Sequence, residues 1–162
     1  VGEESGEPGT LDGDVGAPLI LSSFGFIIGR WTAVGMMDLI LARAGVELDA
    51  AAATVLLTLQ RGGGTARPSA LAQETGTSAS NISKVLARLQ AAGMIERHTE
   101  AGDLRAVAVA MTSAGRQAVR DIDATSIAML NEMLRDWPEA ELKQFSVLLG
   151  RFARSLRDTF TP

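Results

Sequence analysis

The sequence predicts a mostly helical fold: a winged helix-turn-helix with a helical dimerisation layer made by the N- and C-terminal helices. Three observations predict it. Two short capped helices joined by a tight glycine turn occupy residues 68–93. The hydropathy period then changes from helical to alternating over MIERHTEAGDLRAVAVAMT, as in a β-hairpin. Long apolar helical patterns flank this unit at both ends of the chain. The expected organisation is a flexible acidic tail over 1–16, a helical layer from 17–48 together with 113–160, and a winged helix over 49–112.

Each element has its own signal. The opening VGEESGEPGTLDGDVG has almost no large apolar residue and reads as a tail. Pro18 sits in the first turn of an expected single long helix that ends near Gly45. Its apolar residues, from Leu21 and Phe24 through Trp31 to Leu41, cover much of the circumference, which calls for burial on several sides. Asp49 caps a second helix that RGGGT terminates. Pro68 starts a short third helix closed by Gly76, and Ser78 caps a fourth closed by Gly93. After the hairpin, Thr112 or Ser113 caps a fifth helix running to about Arg135. Pro138 opens a sixth, where Leu142, Phe145, Leu149, Phe152 and Leu156 form a heptad-like seam. Such a seam packs either within the chain or across two copies, and the apolar first, fifth and sixth helices favour a homodimer.

Composition removes most enzyme chemistries. With no cysteine, disulfides, thiol redox chemistry and cysteine-ligated zinc are excluded, and a single histidine, His98, makes a metal site unexpected. Aromatic residues are 4% of the chain and tyrosine is absent, which argues against a stacking platform for single strands. Gly62-Gly63-Gly64-Thr65 lacks the Gly-Lys-Ser/Thr of a phosphate loop and reads as an inter-helix loop. No G-x-S-x-G occurs. No cofactor is expected. No segment reads as a signal peptide or a membrane span, so the expected location is the cytoplasm.

The net charge of −4 is unevenly distributed. Residues 1–16 hold five acids and no base, so the remainder is nearly neutral. Between Arg61 and Arg105 six bases face four acids, too small an excess to identify a partner. The placement of the bases must therefore decide.

That placement is clearest on the fourth helix. With Ser80 at zero and about 100° per residue, Ile82, Val85, Leu86 and Leu89 fall within one arc from about 140° to about 240°. Asn81, Ser83, Lys84, Ala87 and Arg88 fall outside it. The apolar arc fixes the helix to its domain and leaves a free face of short polar groups with two bases. No acid lies between Ser78 and Gly93 to repel phosphate. Small residues permit close approach to a major groove, and Asn81, Lys84 and Arg88 can reach base edges or phosphates. An ordinary solvated face, the competing reading, more often mixes Glu with Lys.

Residues 71–115 carry a series of short motifs: Leu71-Ala72 in the third helix and the passage through Leu89, Gly93, Met94, Ile95 and Arg97. Asp103 and Arg105 in the wing, with Met111, Thr112 and Gly115 leading into the fifth helix, complete the pattern. In this order and spacing they resemble the winged-helix core of the MarR family of bacterial transcriptional regulators. The resemblance implies a homodimer that lays two recognition helices in successive major grooves of a palindromic operator. It implies DNA contacts from Ser80, Asn81, Ser83, Lys84, Arg88 and Arg97, with Arg105 in the minor groove and Asp103 holding it. Leu104 stands where a second wing arginine is frequent. A structural hairpin with a surface salt bridge is the alternative for the wing.

Regulators of this kind are often released from DNA by a small aromatic or phenolic acid. The resemblance therefore implies a ligand site in which Arg30 pairs a carboxylate and Trp31 stacks, with Met36 and Met37 able to line the wall. Trp31 in the core with a solvated Arg30 is the competing reading. The expectation for the whole chain is a ligand-released, DNA-binding regulator, a repressor rather than an enzyme. Two rivals are a winged-helix protein-interaction module without DNA affinity and a small enzyme with a cofactor pocket in the helical layer.

Overall fold

The computed structural model describes residues 16–33, 35–100 and 103–160, and the side chains of these other than residues 33, 99, 100, 103–106 and 160. The tail expected over 1–16 lies outside the described residues, apart from Gly16. The elements run α1 (Gly16–Ala33), α2 (Met36–Ala44), α3 (Ala50–Arg61), β1 (Thr65–Ala66), α4 (Pro68–Glu74), α5 (Ala79–Ala91), β2 (Ile95–Glu100), β3 (Asp103–Met111), α6 (Ser113–Met133) and α7 (Glu139–Phe160).

Side-chain oxygens start three of the helices. Asp49 accepts from the Ala52 N–H, Ser78 from that of Asn81 and Thr112 from that of Gly115, each satisfying a first-turn donor that the helix cannot. α4 begins on Pro68, whose missing N–H has no cost at a first helical position. The residues buried on α5 are Ile82, Val85, Leu86 and Leu89, the four of the predicted apolar arc. They meet Leu56 and Leu59 of α3, Leu71 of α4, Val109 of β3 and Val119 of α6 in one core. A second cluster joins Ile40 and Leu41 of α2 to Ala53 of α3 and to Ile122 and Met129 of α6.

The fold departs from the sequence reading in two places. The expected single helix between Pro18 and Gly45 is two helices, because Gly35 takes a left-handed backbone with φ of 56°. The break lets α2 dock on α6 through Ile40 and Leu41 while α1 leaves in another direction. Gly16–Thr32 and Met36–Ala44 meet at 54°, and no single helix among the described residues is long and apolar enough to cross a membrane.

The second departure is β1. The glycine loop ends in a short strand that pairs antiparallel with β3, Thr65 opposite Ala110 and Ala66 opposite Val109. The sheet order is therefore β1-β3-β2, with β2 and β3 forming the predicted hairpin. The Met111 N–H donates to the Gly64 carbonyl at 2.8 Å, which closes the junction.

No described side chain of α1 or α7 is buried. Phe24 of α1 meets Phe152 of α7 with ring centroids 5.0 Å apart, and Trp137 meets Phe145 at 5.4 Å. Leu21, Phe26, Ile28, Val147, Leu148 and Leu149 remain exposed.

Candidate nucleic-acid interface

Because α5 is amphipathic, burying its apolar arc turns the opposite side outward. Ser80, Asn81, Ser83, Lys84, Ala87 and Arg88 are all exposed. The structure thus brings five of the expected contact residues onto one helical face. That face is an ordered one. Asn81 Nδ2 donates to Thr77 Oγ1 at 2.8 Å, and Ser83 Oγ donates to the Ala79 carbonyl at 2.9 Å. Arg88 Nη1 donates to Asp49 Oδ2 at 2.5 Å. Lys84 has no ion-pair partner among the described residues.

Arg97 is exposed on β2, its Cα paired with that of Val109. Beside it His98 Nε2 lies 3.0 Å from Glu96 Oε1. Asp103 and Arg105 belong to β3, but their side chains lie outside the described ones. Among the described residues, no group of three His, Cys, Asp or Glu could hold a metal ion.

Sequence reasoning identified Asp49 as a cap but not as the partner of Arg88. The two are 39 residues apart, and no periodic pattern connects them. Thr77, one residue before the cap of α5, carried no signal either.

Of the four residues expected around a ligand site, only Trp31 and Met36 share one cavity. Trp31 lines a cleft of about 210 Å³ with Met36, Ile40, Ser126, Ile127, Met129, Leu130 and Met133. Neither Arg30 nor Met37 lines it; Met37 faces a separate hollow with Thr54, Leu57, Gln60, Arg61, Val119 and Asp123. The physical reason is Gly35, which separates the helix bearing Arg30 and Trp31 from the one bearing Met37. The sole hydroxyl in the Trp31 cleft, on Ser126, donates to the Ile122 carbonyl.

A model of the MarR family matches residues 47–106, from the cap of α3 to the wing. Over that winged helix, the chain is similar to the MarR family. Solved structures share the fold. A MarR family protein from Bacillus stearothermophilus superposes with a TM-score of 0.72 at 14% identity, covering 86% of this chain and 94% of that one. RV1404 from Mycobacterium tuberculosis gives 0.72 at 19% identity, covering 91% and 97%. Wild-type MarR from E. coli, in its apo form, gives 0.63 at 20% identity, covering 79% and 95%. No curated protein matches the chain in sequence.

Proposed function

We propose that the chain is a cytoplasmic, homodimeric repressor that binds a palindromic operator and is released by a small aromatic or phenolic acid. The observation that carries this reading is the exposed face of α5, which is free of acids, bears Asn81, Lys84 and Arg88, and is set on a buried apolar spine. A helix presented in this way fits a major groove. Support for a homodimer comes from α1 and α7, whose apolar side chains stay unburied in a single copy. Apolar faces on both ends of the chain are a surface for a second copy to cover. The winged helix over 49–112 would then read DNA, and 17–48 with 113–160 would join the copies. No cofactor enters this mechanism, since occupancy of the operator is itself the regulatory event.

Titrating the full chain against duplexes selected from genomic fragments, across a salt series, tests the reading. A DNA reader that neutralises several phosphates loses affinity steeply with salt. A flat response, with no loss in Arg105→Ala, would favour a protein-interaction module instead.

The contact residues divide by role. Arg105→Ala is expected to weaken binding to all duplexes alike, whereas Asn81→Ala is expected to change base preference at one position of each half-site. Competition titrations with single-base operator variants separate the two outcomes. Equal loss at every position in both variants would contradict the division.

For the effector, the cleft beneath Trp31 is the proposed site, its ring and Met36 facing an aromatic ligand. Release requires the ligand to prefer one dimer geometry over the other. Trp31→Ala is expected to raise the salicylate concentration needed for release about tenfold, as loss of one aromatic stacking partner does. Gel-shift titration with salicylate measures it, and an unchanged midpoint would remove Trp31 from the site.

A further inference from the structure

The polar face of α5 is divided between held and unheld groups. Arg88 is gripped by Asp49 and Asn81 by Thr77, while Lys84 between them has no ion-pair partner among the described residues. The Asp49 carboxylate is itself fixed. Its Oδ1 accepts the Ala52 N–H at 2.9 Å as the cap of α3, which leaves Oδ2 for Arg88 Nη1. The first-turn N–H that it accepts holds a capping carboxylate in place. A guanidinium held at one nitrogen keeps its remaining donors, in a plane set in advance. It also presents almost no net charge to an approaching phosphate.

We infer that Asp49 is a positioning residue for base reading. It holds Arg88 as an oriented donor, withholds it from the phosphate backbone, and leaves Lys84 as the phosphate contact of α5. This inference rests on the DNA-binding reading above. The pair is half exposed on both sides, with side-chain accessibilities of 54% and 48%, so its direct contribution to folding is small. Its consequence is selectivity. An arginine free to swing would gain affinity for any duplex and lose preference among them.

Asp49→Asn tests this, because asparagine caps a helix as well as aspartate does while carrying no charge. Asp49→Ser, another capping residue, is the second variant, and melting curves check that both fold. The wild-type chain first selects a duplex from a random-sequence library. That duplex and a scrambled one of equal composition are then titrated by fluorescence anisotropy across a potassium chloride series.

In both variants the scrambled duplex is expected to bind more tightly, and the slope of log K against log salt to steepen by about one per protomer. The selected-to-scrambled ratio is expected to fall about tenfold, the worth of one oriented base contact. In an Arg88→Ala background the same Asp49 substitutions should change neither quantity.

Wild-type ratio and slope in both variants would overturn the inference, as would an equal change in the absence of Arg88. A lowered melting temperature with unaltered selectivity would reduce Asp49 to a cap and overturn it too. A wild-type chain that selects no duplex would overturn the DNA-binding reading itself, and that outcome is seen before any variant is made.

Discussion

Gly115→Ala is expected to lower the melting temperature by about 6 °C, although alanine is the better helix former. Gly115 lies in the first turn of α6, where the helix crosses the junction between α5 and β2. A Cβ built there meets the Met94 carbonyl oxygen at 2.2 Å and its carbon at 3.1 Å. Neither atom can move alone. The Met94 carbonyl accepts the Thr112 N–H at 3.0 Å, and Thr112 Oγ1 donates to the Gly93 carbonyl at 2.6 Å while accepting the Gly115 N–H. Helix propensity favours alanine by about 1 kcal/mol, whereas forcing an atom into a packed junction costs about 3 kcal/mol. The clash wins. Thermal unfolding followed by circular dichroism measures the loss, and an unchanged or raised midpoint would mean that α6 does not cross the junction this closely.

On the proposed dimer, Leu149→Asp is expected to leave a monomer and to weaken duplex binding at least about a hundredfold, the loss that follows when two linked half-sites become independent. Leu149 is 45% exposed in one copy, within a helix that buries no described side chain. The charge therefore leaves the folded core of a single chain untouched, and its penalty falls on the interface that would cover it. Light scattering during size-exclusion chromatography reads the mass, and gel shifts read the affinity. A dimer of unaltered strength would place the partner elsewhere.

The parts of this molecule that were legible in the sequence are those written in a repeating pattern. The four apolar residues of α5 announce their buried side because they recur with the helical period, and the free face follows by subtraction. Asp49, Ser78 and Thr112 announce helix starts because capping is a local event. Other features were hidden for the opposite reason. Gly35 sits in an apolar run that could continue through it, and docking of α2 on α6, a tertiary event, decides that it bends instead. β1 has two residues, fewer than one alternation needs. Neither the grip of Asp49 on Arg88 nor the separation of Trp31 from Met37 can be read without knowing which helices become neighbours.

The small strand β1 also has a mechanical meaning. By pairing with β3 on one side of the sheet while leading directly into α4, it rivets the hairpin to the helices that carry α5. The base of the hairpin and the helix are thereby packed into one unit. On the proposed DNA-binding reading, a unit packed in this way would leave accommodation of a poor sequence largely to bending of the duplex.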